Sequence, residues 1–299
     1  MPNTIAHFAV NGLLTRSLIK DADLKWVYLG CVIPDIPWIL QRIINQTPIA
    51  LDLYDLRAYC IAQASLILCI ILSAAFAMLA KEKYRVFLIL AMGSLLHLLL
   101  DAVQFKWANG VHLFAPFSWE LLRFDLFWPE SIWTHLLTAG GVIYLFTNFK
   151  TAINSDENVF TDSKPQIIVG VFLFAVWLAL PFMFMQSVYK HDNHYISTLK
   201  NVELRKGKTI QIDRNTIQAI DGKVYVNIAY GERIILENID ASSDTTTSLK
   251  GKFTLPNTIY VDDYHEHTRF RDYASMFGLT CVFAIWIIYI QRRMFLRFP

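Results

Sequence analysis

The run Val86-Phe87-Leu88-Ile89-Leu90-Ala91-Met92-Gly93-Ser94-Leu95-Leu96-His97-Leu98-Leu99-Leu100-Asp101-Ala102-Val103 decides how this chain is read. As a helix it is about the length of a hydrocarbon core, yet it ends with an imidazole and a carboxylate. Ionisable groups in such a segment are costly and normally face a cavity or a partner, so the run points at once to a membrane fold and to a site. His97 and Asp101 lie one helical turn apart and project from the same face. Gly93, a turn earlier, allows a neighbouring helix to approach. The pair can ligate one divalent metal. A His–Asp hydrogen bond serving helix packing accounts for the same spacing.

The rest of the chain agrees with the membrane reading. Of 299 residues, 55% are hydrophobic, 14% aromatic and only 17% charged, against about a quarter charged in a soluble domain. Residues 61–80, 131–149 and 167–185 contain no Asp, Glu, Lys or Arg, and each is long enough to span. Residues 86–103 and 274–290 are slightly shorter. Residues 4–19 and 24–44 read as a helical hairpin, its second arm broken by Pro34 and Pro37. A net charge of +2 with no basic, aromatic-interleaved patch excludes a nucleic-acid partner. Cys31, Cys60, Cys69 and Cys281 are scattered singly and read as small hydrophobes. The first apolar stretch lacks a basic leader and contains His7, Asn11 and Arg16, so no cleavable signal peptide is expected.

Basic residues orient the spans. The turn with Arg16, Lys20 and Lys25, the loop with Lys81, Lys83 and Arg85, the pair Lys150 and Lys164, and the tail with Arg292, Arg293 and Arg297 all fall inside in one topology. The N-terminus is then outside and the C-terminus inside. Residues 190–273 lie outside and alternate as strands do, as in Thr209-Ile210-Gln211-Ile212, Val224-Tyr225-Val226-Asn227-Ile228 and Thr258-Ile259-Tyr260-Val261. Asp221-Gly222 marks a hairpin. The expected architecture is a membrane all-α, polytopic bundle of about five to seven segments with a small extracytoplasmic all-β, OB-like domain before the last helix. Residues 1–189 form the helical membrane domain, 190–273 a self-contained β-domain, and 274–299 the last transmembrane helix with a basic cytoplasmic tail. Residues 154–165 read as a flexible polar loop.

Two more polar residues interrupt apolar sequence. Asp35 is held between prolines in Ile33-Pro34-Asp35-Ile36-Pro37, where capping a turn is the simpler role, and His7 begins the first helix. The topology puts His7, Asp35, His97 and Asp101 near the outer surface together. Two imidazoles and two carboxylates at one depth make a ligand set for zinc or manganese.

The ordered motifs Ala6-His7, Pro34-Asp35, His97-Leu98-Leu99-Leu100-Asp101 and Asn109-Gly110-Val111-His112-Leu113-Phe114-Ala115-Pro116 resemble the membrane-bound metal-dependent hydrolase family, the LexA-binding, inner-membrane-associated hydrolases. The resemblance covers roughly residues 1–150. It implies a metal at His7, Asp35, His97 and Asp101 and a bacterial inner-membrane location. Through a distant similarity to zinc-dependent phospholipases C, it also implies phosphoester hydrolysis. One departure matters. Where the family carries a His-Arg-Gly-x-Thr-His-Ser run, this chain has Asp52-Leu53-Tyr54-Asp55-Leu56-Arg57 and then Gln63-Ala64-Ser65. Asp52 or Asp55 would then accept the proton of an attacking water, unless they only cap the following helix as solvated acids.

Residues 104–130 are aromatic, with Trp107, Phe114, Phe117, Trp119, Phe124, Phe127 and Trp128. They read as headgroup anchors, or as a lid admitting a lipid-linked substrate with His112 pointing inward as a catalytic candidate. His135 reads as helix packing, and His191 and His194 as linker residues. His265 and His267 face one way on a strand and could bind a metal or reach the membrane site, although surface pairs of this kind are commonly unliganded. The hydrolase expectation competes with a non-catalytic scaffold whose outer β-domain binds an unidentified partner. It also competes with a transporter, which would place polar groups on both sides of the midplane.

Overall fold

Proline and glycine shape the first helices of the chain, whose computed structural model describes residues 3–49, 51–154, 159–191, 195–240 and 244–297. Helix α1 (Thr4–Leu18) is capped by Asn3, whose side chain accepts from Ala6 N. Helix α2 (Leu24–Gly30) gives way to a tight 3₁₀ turn (Ile33–Asp35) before α3 (Ile36–Ile44), as expected where prolines remove helix donors. There follow α4 (Leu53–Gln63), α5 (Leu66–Ala77), α6 (Lys83–Ala102), α7 (Ile132–Ile153), α8 (Lys164–Ala179), α9 (Pro181–His191) and the short α10 (Tyr195–Lys200). Strands β1 (Thr209–Ile220), β2 (Lys223–Asn227), β3 (Arg233–Glu237), β4 (Thr246–Leu255) and β5 (Thr258–His267) precede α11 (Phe270–Arg297).

Among the described residues, five stretches are long and apolar enough to cross a membrane: Leu24–Ile44, Lys83–Ala102, Ile132–Ile153, Lys164–His191 and Phe270–Arg292. The expected span over residues 61–80 is bent rather than straight: α4 and α5, together long and apolar enough to cross, meet there at 72°. Gln63 and Ser65 flank the break. Gln63 Nε2 donates to Tyr59 Oη, and Ser65 adopts the extended conformation of an N-cap. Helix α1 is shorter than the spans and buries its first half inside the bundle. The last helix starts ahead of the expected residue 274, at Phe270. Of the expected flexible loop, residues 155–158 lie outside the described residues.

Helices α1 and α7 run parallel, with Asn3 bonded to Thr138 and Arg16 to Asn148. Gly141 makes this crossing close, since a Cβ there would meet Ile5 O at 1.9 Å. The basic turns expected on one side do gather at one end of the bundle. Arg85 donates to the carbonyls of Lys20 and Asp21, Arg292 reaches Ile153 and Asn154, and Lys25 lies over the Tyr289 ring. At the other end, residues 104–131 meet the strands.

The strands close into a five-stranded barrel in the order β1-β2-β3-β5-β4, with β3 and β5 parallel and the other pairs antiparallel. Asp221 and Gly222, both at positive φ, make the β1–β2 hairpin, as their sequence signals. The barrel is less self-contained than expected. Its core (Ile212, Ile217, Val226, Leu249, Phe253, Ile259) is continuous with Ile196 and Leu199 of α10, Ala58 and Ala62 of α4, and Trp119.

Gly30 and Gly93 bring α2 against α6, and a Cβ on Gly93 would lie 2.9 Å from Gly30 Cα. Gly93→Val should therefore push the two helices apart and lower stability by about 1–3 kcal/mol. The check is a thermal melt of the detergent-solubilised protein beside Ala91→Val on the same helix, which should stay near wild type.

Candidate metal centre

The Gly30–Gly93 contact delivers His97 to a particular backbone atom. Because the chain turns into the 3₁₀ segment at Pro34, Asp35 N bonds Val32 O, leaving the Cys31 carbonyl to another donor. His97 Nδ1 takes it, 2.6 Å away. A carbonyl only accepts, so Nδ1 carries the proton. His97 Nε2 then faces two carboxylates, Asp35 Oδ1 at 3.6 Å and Asp101 Oδ2 at 3.7 Å. Both distances exceed a hydrogen bond. His7 stacks on His97, with ring centroids 3.9 Å apart and planes within 3°, and its Nε2 lies 3.5 Å from Asp101 Oδ1.

Both histidines are fully buried, and His7 Nδ1, His7 Nε2, His97 Nε2, Asp35 Oδ1 and Asp101 Oδ1 make no hydrogen bond. Buried polar atoms are rarely left so. Ligand atoms of His7, His97 and Asp101 all lie within 4.8 Å of one another. Separations of 3.5–3.7 Å are near the about 3.4 Å that tetrahedral bonds of about 2.0–2.1 Å impose. These residues could hold a metal ion. Asp35 reaches the cluster through His97 and is not part of the mutually close trio. Lys106, a residue the sequence reading missed, is buried and places Nζ 2.9 Å from Asp101 Oδ2. Its signal was there: a lone lysine in an aromatic loop just after the His-x-x-x-Asp helix.

His97, Asp101 and Lys106 open onto a cleft of about 430 Å³ between the bundle, the aromatic loop and the barrel. His112 lines it, its Nδ1 bonded to Trp119 O. Asp52 and Asp55 are elsewhere. Asp52 caps α4 through Tyr54 N and Asp55 N, while Asp55 bonds Tyr189 Oη, and both carboxylates pair with Lys200. Neither lines the cleft. The aromatic loop divides: Trp107 and Trp119 are buried, whereas Phe114, Phe117 and Phe124 are exposed. His135 bonds its own helix and stacks on Phe270. His191 bonds Ser187 O, and His194 lies outside the described residues.

His265 and His267 are not a free surface pair. Both bond Glu130 at 3.0 Å, His265 stacks on Trp128, and His267 Nε2 meets Ser248 Oγ, which donates to Asp213. This second trio could also hold a metal by its spacing. Unlike the first, its contacting atoms already have hydrogen-bond partners, and it clamps the barrel to the bundle. No family model matches the sequence, no curated protein matches it, and no solved structure matches the fold.

Burial alone would raise the Glu130 carboxyl, but hydrogen bonds from the two histidines outweigh it and hold the group well below the usual carboxylate range. Burial also pushes the His267 imidazole down, with the Glu130 hydrogen bond opposing. Both groups bind fewer protons folded than unfolded, so the clamp contributes most at neutral pH and weakens on acidification. For Glu130 the loss begins as pH falls below about 4.3, and for His267 below about 6.5. Glu130→Gln should cost about 1–3 kcal/mol at pH 7, and its difference from wild type should shrink below about pH 4. Thermal melts of both proteins across pH 3.5–7.5 provide the check. A difference independent of pH would mean the clamp does not act through the Glu130 charge.

Proposed function

We propose that this chain is a multi-pass integral membrane protein of the bacterial inner membrane, and that it is a metal-dependent hydrolase acting on a phosphoester or lipid-linked substrate near the outer surface. The observation that carries the reading is the orientation of His97. With its proton directed to Cys31 O, its other nitrogen faces Asp35 and Asp101 beside a fully buried, unbonded His7. Lone pairs turned toward carboxylates in a low-dielectric interior repel unless a cation joins them. Zinc or manganese suits this mixture of imidazole and carboxylate. When bound, such an ion supplies Lewis acidity toward a phosphoryl or carbonyl oxygen and toward water.

The chain's own residues would divide the remaining work. Asp35 Oδ1, without a hydrogen bond, is the carboxylate oxygen nearest His97 and is available to accept a proton. Asp52 and Asp55, already engaged by Lys200, are poorly placed for that role. His112, held by Trp119 O, stands on the cleft wall for contact with substrate or leaving group. The gathering of basic turns at the opposite end supports an outward-facing site under the positive-inside rule. The β-barrel, with its parallel β3–β5 closure, fits the OB-like expectation. The family resemblance points the same way, with its missing histidine run as the departure.

One observation favours the scaffold reading: the Lys106 ammonium already neutralises part of Asp101. Metal analysis beside thermal stability separates the two. As a hydrolase, the purified protein should hold about one chelator-removable ion, lost in His7→Ala, His97→Ala and Asp101→Ala, and Lys106→Met should keep it. It should also cleave a short-chain phosphodiester lipid in detergent, and chelation should abolish the cleavage. As a scaffold, wild type holds no such ion, and Lys106→Met costs about 3–5 kcal/mol by stranding a buried carboxylate.

A further inference from the structure

The cleft carries more positive charge than its own residues neutralise. Its walls include Arg42, Arg57, Lys106, Arg214 and Arg271 against Asp101, Asp213 and Asp272. Lys106 pairs with Asp101, and Arg214 with Asp272 at 3.1 Å and with Glu130 at 3.6 Å. Among the described residues, neither Arg57 nor Arg271 has a carboxylate within ion-pair distance. Arg57 donates to Ala108 O and lies over the Tyr195 ring, while its Nε is buried and makes no hydrogen bond. Arg271 Nε is likewise buried without a hydrogen bond, and Arg214 Nη1 makes none either, its carboxylate neighbour there being Glu130 Oε1 at ion-pair distance, 3.6 Å. Guanidinium groups on a cleft wall with N–H donors to spare are the groups that bind a planar or tetrahedral oxyanion.

The backbone is shaped to bring one of them there. The β1–β4 ladder slips between Ile212 and Asn215, which takes Asp213 and Arg214 out of pairing, and Arg214 adopts φ 55°. A non-glycine residue in the left-handed region within a bulge is a device for re-aiming a side chain. On the facing wall Ala108, also at φ 55°, is held from two sides, by Gln211 of the barrel and Arg57 of α4. Helix, loop and barrel therefore converge on one volume. Its size of about 430 Å³ suits a headgroup rather than a whole lipid, and Trp38, Leu98 and Val111 supply apolar wall beside the charges.

We propose that the cleft is a phosphate-ester binding site in which Arg57, Arg214 and Arg271 hold the anion beside the His97–Asp101 end of α6. The barrel, through Arg214, is a component of that site. The proposal rests on the hydrolase reading for its orientation but on separate residues for its evidence. The chemistry is shared by a lipid headgroup and by free phosphate, and the barrel's contribution explains why it is clamped to the bundle by Glu130.

The test is calorimetric titration of the full-length protein in uncharged detergent with two probes, inorganic phosphate and dihexanoyl phosphatidic acid, with metal content measured on the same samples. Arg57→Gln, Arg214→Gln and Arg271→Gln should each weaken binding about 10- to 100-fold, the loss of one charge-assisted contact, and leave metal content unchanged. Asp272→Asn, which leaves Glu130 as the one carboxylate paired with Arg214 among the described residues, should tighten binding several-fold, a gain that misfolding cannot mimic. Tighter binding of the lipid assigns the site to a headgroup, and equal binding assigns it to the free anion. Arginine-dependent binding in a protein without metal keeps this site and removes the hydrolase reading. A metal-loaded wild type that binds neither probe, or whose binding is indifferent to all three arginine variants and to Asp272→Asn, overturns the proposal.

Discussion

A backbone carbonyl released by a proline turn, and the imidazole that takes it, set the geometry on which the centre of this protein depends. Pro34 cannot donate, the following segment tightens into a 3₁₀ turn, and Cys31 O is left to His97 Nδ1 at 2.6 Å. The bond is within reach because Gly30 and Gly93 let α2 and α6 pack backbone to backbone. It sets the tautomer of His97, and the tautomer decides which nitrogen confronts Asp35 and Asp101. Larger residues at either glycine would move all of these atoms together.

Around that point the interior gathers charges that a low-dielectric medium tolerates only in company. Lys106 and Asp101 neutralise each other in part, while His7 and His97 are stacked and lack hydrogen bonds on three of their four ring nitrogens. The second His–Glu trio has the same chemical ingredients and a different state. Glu130, His265 and His267 are linked directly at 3.0 Å, so their contacting atoms are satisfied. Hydrogen-bond satisfaction, more than residue type, separates the trio that could hold a metal ion from the trio that ties barrel to bundle.

The barrel is tied to the same region. Its core continues into α4 and α10, its strand β5 carries the clamp histidines, and the bulge in β1 turns Arg214 into the cleft. A domain that looks like an appendage in chain order is therefore a wall of the cleft. The tie weakens on acidification, because the histidine hydrogen bonds hold Glu130 well below the usual carboxylate range and burial pushes His267 down.

Helical period made His97 and Asp101 legible as a pair, and loop charge put His7 and Asp35 at the same depth. The strands with clean alternation, β1, β2 and β5, were likewise readable, as was the Asp221-Gly222 turn. Strand β3 is an unbroken Ile-Ile-Leu run between charges, and β4 begins in a run of threonines and serine too polar, so alternation does not stand out in either. The 72° bend in residues 61–80 was hidden because Gln63 and Ser65 leave the average hydropathy high. Asp52 and Asp55 looked like site carboxylates, yet Lys200, far along the chain, claims both. Lys106, Arg57, Arg214 and Arg271 are unremarkable in sequence. By itself the sequence determined the apolar segments, the hairpin and the α6 face that carries His97 and Asp101, because these depend on local composition and period. Which charges pair, which histidine is left with a lone pair, and which arginines share a cleft were decided only by the tertiary structure, because Coulomb and hydrogen-bond partners are chosen by distance in space.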